Sequence, residues 1–178
     1  MSKGLFKKFI KDYENTADPS VRAAYGKLSG IIGIILNLTL FACKMAVGVI
    51  SGSLSITADA VNNLSDASSS IISLLGFKLA SRPADDEHPY GHGRYEYLSG
   101  LMVCVIIILI GFELLKSSAE KIINPSHTEF SVVFAGTLVF SILIKIWMSS
   151  FNSEAGKAIS SKTLKAAAAD SRNDVLAT

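Results

Sequence analysis

Two pairs of polar residues with helical spacing are the strongest chemical signal in the chain. Asn62 precedes Asp66 by four residues, and Asp170 precedes Asp174 by four. Residues four apart share one face of an α-helix, so the two faces together predict a cage of four oxygen donors. Three of these are acidic, which suits a hard divalent cation. A hydrogen bond between helices explains any one of these residues, but two matched pairs favour the cage.

Asp59 lies on the same predicted helix face as the first pair, three residues before Asn62. It is interpreted as an outer ligand, as a partner that orients a ligand, or as a gate residue. A purely structural role explains it equally well.

A second cluster lies in a charged loop, where Asp85, His88 and His92 follow one another at intervals of three and four. This spacing permits one metal-binding face, and histidine is the commonest metal-ligating side chain. The same loop contains prolines and glycines that break helices. A hydrogen-bonded loop docked onto helix ends is therefore an equally good interpretation.

The composition predicts an all-α integral membrane protein. Hydrophobic residues make up 49% of the 178 residues and charged residues only 18%, against about 25% charge in soluble domains. Two cysteines, Cys43 and Cys104, lie in apolar runs and are expected to be small core residues. The net charge of +2 gives no indication of nucleic-acid binding.

The apolar runs predict a bundle of transmembrane helices, since a span needs about 20 residues. The predicted helices cover residues 28–50, 54–80, 97–122, 130–151 and 162–178. The second contains the first polar pair and many serines, so its polar stripe must face protein or water. Lys44 and Lys145 are predicted to be buried counter-ions or snorkelling side chains, without a role in transport.

Residues 1–27 are predicted to form a basic cytoplasmic tail. Its positive charges are Lys3, Lys7, Lys8, Lys11, Arg22 and Lys27. The regions 78–95 and 151–165 are also basic, and positive charge favours the cytoplasmic side. Residues 4–11 fit a short amphipathic helix on an anionic membrane surface or a solvated segment.

Three stretches together resemble the cation diffusion facilitator family of divalent-metal/proton antiporters. They are Asn37, Lys44, Gly48 and residues 51–53; residues 58–66; and the loop from Arg82 to Glu96. The resemblance implies a homodimer with six membrane helices and a cytoplasmic C-terminal domain of ferredoxin-like fold. By this comparison the chain is expected to be the N-terminal part, with its fifth helix truncated and the sixth helix absent.

The family's transport site maps onto Asn62, Asp66, Asp170 and Asp174, and a loop site of some members maps onto Asp85, His88 and His92. Zinc-transporting members typically place histidine in the transport site, whereas this arrangement looks like the manganese-exporting branch. Oxygen donors agree with Mn²⁺. The resemblance thus implies export of Mn²⁺ in exchange for protons by alternating access, without a cofactor.

Other functions remain open. Zn²⁺, Fe²⁺, Co²⁺ or Cd²⁺ are alternative cargoes, and a metal sensor or scaffold that does not transport is an alternative role. An intramembrane phospholipid-synthesising enzyme is disfavoured, because the chain lacks the Asp-x-x-Asp-Gly-x-x-Ala-Arg run of that family. The expected partners are a divalent metal ion, protons, the lipid of the cell membrane and a second copy of the chain.

Overall fold

The computed structural model describes residues 3–86, 88–123 and 132–177, which form six helices and no strand. The helices are α1 (Lys3–Phe9), α2 (Pro19–Ser51), α3 (Leu54–Ala80), α4 (Arg94–Ile123), α5 (Val132–Ala158) and α6 (Lys162–Ala177). The prediction of an all-α membrane bundle is confirmed. Helices α2 to α6 correspond in order to the five helices expected from the sequence.

Helix α2 begins at Pro19, so part of the predicted tail belongs to the first long helix. The cause is local, because the Asp18 side chain accepts a hydrogen bond from the backbone N–H of Ser20 at 2.7 Å. An aspartate cap followed by proline is a strong helix start. The helix ends at Gly52, whose φ of 67° is a left-handed conformation that glycine adopts without strain.

One side of the short helix α1 packs against the protein. Phe6 and Ile10 are each only 3% exposed. The Phe6 ring lies 4.9 Å from that of Tyr25 and 5.1 Å from that of Phe151, centroid to centroid. The expected short helix is present, and Phe6 and Ile10 help to form the core at this end of the bundle, which neither interpretation of residues 4–11 foresaw. Phe9 is 60% exposed.

Helices α5 and α6 are joined by a three-residue turn instead of a long polar loop. Helix α5 continues past 151 to Ala158, since Phe151, Ala155 and Ile159 bury one apolar side at intervals of four. Ser161 then caps α6 by accepting from the backbone N–H of Leu164 at 3.3 Å. The expected start of the fourth helix at 130 and end of the fifth at 178 lie outside the described residues.

Small residues allow the helices to approach closely. A Cβ added to Gly48 of α2 would lie 2.6 Å from Oγ1 of Thr57, and one added to Gly76 of α3 would lie 2.0 Å from Oγ of Ser99. Glycine is the residue that permits such backbone contact between membrane helices. These contacts hold α3 between α2 and α4, while α6 packs on α5 and α4.

Among the described residues, three segments are long and apolar enough to cross a membrane. They are Pro19–Ser51, Arg94–Glu113 and Ala135–Ala158. Their apolar side chains are widely exposed on the outside of the bundle. Cys43 and Cys104 are also exposed and free, so their expected place in the core was wrong.

A polar cluster around Arg22 joins three chain segments at one end of the bundle. It consists of the side chains of Arg22, Glu96 and Thr163 and the backbone carbonyls of Glu96 and Ile159. Arg22, near the start of α2, pairs with Glu96 of α4 at 3.0 Å and also donates to the backbone carbonyl of Ile159 in the α5–α6 turn. The Thr163 hydroxyl of α6 donates to the carbonyl of Glu96 at 2.8 Å. The N-terminal segment, the loop before α4 and the α5–α6 turn therefore lie at the same end.

Candidate metal centre

Helices α3 and α6 bring three carboxylates together inside the bundle. One oxygen each from Asp66, Asp170 and Asp174 lies within 4.8 Å of the others. The Asn62 amide Nδ2 donates to Oδ1 of Asp174 across 3.4 Å, which leaves the Asn62 carbonyl oxygen available as a donor to a cation. The four residues paired by sequence spacing thus come together around one point.

The position of α6 depends on hydrogen bonds to its neighbours on both sides. Ser149 of α5 donates to the carbonyl of Ala168 at 2.8 Å, and Thr163 binds α4 as described above. The alanines at 166–169 are small and favour a helix. They allow α6 to approach the bundle closely enough for Asp170 and Asp174 to meet α3.

Asp66 is the most buried of the three carboxylates, at 4% exposure, whereas Asp170 and Asp174 are half-buried. A carboxylate inside a membrane bundle is costly unless a cation or hydrogen-bond donors compensate it. Three such groups so close together form a strongly negative centre that attracts cations.

Lys145 of α5 lies within this centre. Its Nζ is 2.6 Å from Oδ2 of Asp66 and 2.6 Å from Oδ2 of Asp174, and the residue is 2% exposed. The sequence predicted a buried counter-ion but did not identify its partners. A lone lysine within an apolar helix implies some buried anion, but spacing along α5 does not show which residue of another helix provides it.

Asp59 lies apart from the three carboxylates in an ion pair of its own. Its Oδ2 is 2.7 Å from Nζ of Lys44, whose side chain is 2% exposed. This contact joins α2 to α3 and makes Lys44 the second buried counter-ion. This ion pair fits the structural role considered for Asp59, and its roles as an outer ligand or a gate stay predictions.

The loop residues also converge. Oδ1 of Asp85 is 3.2 Å from Nδ1 of His88, and Oδ2 is 3.4 Å from Nε2 of His92. The pKa of the Asp85 carboxyl is lowered, first because it accepts a hydrogen bond from the backbone N–H of His88. That bond measures 2.7 Å.

The tautomer of His92 follows from its second contact. Nδ1 lies 3.0 Å from the carbonyl oxygen of Pro83, and a carbonyl can only accept, so Nδ1 carries the proton. The other ring nitrogen, Nε2, faces Oδ2 of Asp85 across 3.4 Å. A backbone carbonyl that orients a histidine in this way is typical of metal ligands. The loop is therefore hydrogen-bonded and also presents three ligand atoms together.

Comparison with known proteins matches this arrangement to one family. The family model of the cation efflux transmembrane domain matches residues 30–178. Manganese efflux system protein MneS of Bacillus subtilis is 30% identical over 149 residues, which cover 84% of this chain and 51% of that protein. An uncharacterized transporter of Methanocaldococcus jannaschii is 34% identical over 146 residues, covering 82% of this chain and 52% of that protein.

The cation-efflux pump FieF of Shewanella oneidensis is 29% identical over 149 residues, covering 84% of this chain and 50% of the pump. The chain thus spans about half the length of the curated relatives it matches. The matched family is one of transporters. The motifs of the chain, its membrane helices and these relatives agree. The chain belongs to the cation efflux family, also called cation diffusion facilitators, and covers the N-terminal portion of the family's transmembrane domain.

Proposed function

We propose that this chain provides the ion-binding site of a membrane exporter of divalent cations, with Mn²⁺ as cargo. The observation that supports this best is the convergence of Asp66, Asp170 and Asp174 within 4.8 Å across two helices. Ionisable groups inside a membrane bundle typically mark an ion pathway. Membership of a cation efflux family assigns that pathway to metal export.

The choice of Mn²⁺ follows from the donor atoms. The carboxylates and the Asn62 amide offer only oxygen, which manganese accepts readily, whereas zinc is better served by imidazole or thiolate. The relative MneS is named for manganese efflux, which supports the same cargo. Zn²⁺, Fe²⁺, Co²⁺ and Cd²⁺ are the competing cargoes.

Exchange with protons follows from the chemistry of the ligands. A carboxylate must be deprotonated to bind metal, so metal loading releases protons. When the site opens to the other side, protonation of the same carboxylates helps to release the metal. Alternating exposure of a single site then couples outward metal movement to inward proton movement.

The proposed topology places the N-terminus in the cytoplasm. Three basic segments meet at the polar cluster around Arg22. They are the N-terminal segment, the loop before α4 and the α5–α6 turn. Basic segments at one end favour the cytoplasmic side of the cell membrane. A homodimer, as in the family, is proposed for the assembled transporter.

Flux measurements test the proposed cargo and exchange. The complete gene product is reconstituted into liposomes, and uptake of Mn²⁺, Zn²⁺, Fe²⁺, Co²⁺ and Cd²⁺ is followed with and without a pH gradient. We expect Mn²⁺ to be taken up fastest. A proton gradient directed out of the liposomes, opposite to Mn²⁺ uptake, should accelerate this uptake. An Mn²⁺ uptake rate that is the same with and without the pH gradient would contradict proton exchange. Flux of another metal alone would contradict the cargo, and absence of all flux would favour the sensor or scaffold.

The loop cluster is proposed as a separate, peripheral metal site. Its ligand atoms lie outside the helix bundle, and the side chains of His88 and Asp85 are 45% and 54% exposed. We expect His92→Ala to remove one bound Mn²⁺ or Zn²⁺ per chain in calorimetric titration. The neighbouring exposed Asp86, substituted with Ala, is the control and should leave the stoichiometry unchanged. Equal stoichiometry in the two variants would count against a loop site.

A further inference from the structure

The ammonium group of Lys145 pairs with two of the three carboxylates that form the cage. It donates to Oδ2 of Asp66 and Oδ2 of Asp174 at 2.6 Å each. These two carboxylates come from α3 and α6, so Lys145 of α5 joins both sides of the candidate centre. Its side chain is 3% exposed and has little access to water as an alternative partner.

A divalent ion on the Oδ2 atoms of Asp66 and Asp174 and this ammonium exclude each other. A metal–oxygen bond of about 2.2 Å places the ion where the amine hydrogens lie. The two cations would also repel each other strongly in a region of low dielectric constant. Metal binding through these oxygens therefore displaces the ammonium from at least one of the carboxylates.

We propose that Lys145 is a tethered cation that competes with the transported metal for Asp66 and Asp174 and takes its place when the metal is released. This inference rests on the proposed export function and extends it to the control of affinity and release. The lysine weakens metal binding by stabilising the metal-free site. It also neutralises part of the negative charge of the cage while the metal-free protein switches the site from one side of the membrane to the other.

Lys145 differs in this respect from the other buried lysine. Lys44 pairs with Asp59 at 2.7 Å, and the metal-candidate cluster of the described residues does not include that carboxylate. Lys44 makes its close ion pair outside the cage, whereas both ion pairs of Lys145 are with cage carboxylates. Of the two lysines, Lys145 is the one that competes with a metal ion by direct contact.

The test measures Mn²⁺ affinity and Mn²⁺ flux of the complete gene product with three variants. Lys145→Met removes the charge and keeps an unbranched side chain, Lys145→Arg keeps the charge, and Lys116→Met changes an exposed lysine of α4. We expect Lys145→Met to bind Mn²⁺ about tenfold to a hundredfold more tightly, the scale of a charge-assisted hydrogen bond. Its flux should fall about tenfold or more because release and return become slow.

The charge-conserving variant should retain the weak binding of the wild type, and Lys116→Met should match the wild type in both measurements. A merely structural lysine would lower affinity and flux together when it is removed. Equal or weaker Mn²⁺ binding by folded Lys145→Met would overturn the proposal.

If Lys145→Met does not fold, the wild type provides a second measurement. Mass spectrometry follows acylation of Lys145 by a membrane-permeant amine reagent with and without saturating Mn²⁺. Faster acylation with Mn²⁺ is expected, because the amine is freed from its two carboxylates. An unchanged or slower rate would overturn the proposal.

Different results would contradict the export site and the role of Lys145. If the wild type does not bind Mn²⁺, or if replacing Asp66 leaves Mn²⁺ binding unchanged, the proposed export site itself is wrong. If the wild type binds and moves Mn²⁺ but Lys145→Met binds it no more tightly, only the role of the tethered cation is wrong.

Discussion

Replacing Asp66 or Asp174 with alanine is expected to reduce Mn²⁺ export by at least about a hundredfold, since even indirect partners of metal ligands are worth about tenfold to a hundredfold. Each substitution removes a ligand and a proton acceptor from a centre that needs both. It also leaves Lys145 with one carboxylate instead of two. The measurement is the initial rate of Mn²⁺ uptake by proteoliposomes with equal amounts of folded protein.

Two comparisons sharpen this experiment. Asp66→Asn and Asp174→Asn preserve side-chain size, so a loss of flux in these variants reflects charge rather than packing. Glu113, an exposed carboxylate of α4, is the matched control, and Glu113→Ala should transport at the wild-type rate. Export at the wild-type rate by a folded Asp66 or Asp174 variant would place the transport site elsewhere.

Substituting Asn62 with histidine is expected to shift the ratio of Mn²⁺ flux to Zn²⁺ flux toward zinc by about tenfold. This is about the effect on binding of a single hydrogen bond. The native amide offers a hard oxygen that does not compete for protons. Imidazole instead offers a borderline nitrogen, and zinc accepts mixed nitrogen and oxygen ligands in a tetrahedral shell. Manganese prefers more oxygen donors.

The same variant should also make flux depend more strongly on pH. A histidine titrates near pH 6.5, and its protonated form repels a cation and cannot bind it. Flux of Asn62→His should therefore fall more steeply than that of the wild type as the pH is lowered from about 7.5 to 5.5. Paired Mn²⁺ and Zn²⁺ uptake at both pH values measures the ratio and its pH dependence, with Asn62→Gln as a control that keeps the amide. An unchanged ratio in an active variant would show that the selectivity is set elsewhere, with helix packing and Asp59 as the next candidates.

The cage was predictable because a polar residue is expensive in an apolar helix and helical spacing is regular. Asp66 and Asp174 each have a partner four residues earlier, so the faces that had to meet were visible in the sequence. The partner of Lys145 was not visible, because it depends on the rotation of α5 relative to α3 and α6. That rotation is set by packing between helices and leaves no regular pattern along one helix.

The ends of helices were less predictable for a different reason. Hydropathy marks where a helix is apolar, but a helix continues until its backbone is capped. Asp18 starts α2 well inside the predicted tail, and Ser161 starts α6 directly after a short turn. The burial of Phe6 was also missed, because a short amphipathic segment has the same pattern whether its apolar face meets lipid or protein.

The polar cluster around Arg22 fastens the N-terminal end of α6. Thr163 is fastened to α4 at 2.8 Å, and eleven residues of helix separate it from Asp174, a distance of about 16 Å at 1.5 Å per residue. Turning α6 by only about 10° around its fastened end would carry Asp174 about 3 Å sideways over that length. Such a movement is enough to separate a carboxylate from a metal ion. A small rotation of α6 about its end at Thr163 is therefore sufficient to move Asp174 into or out of the metal centre.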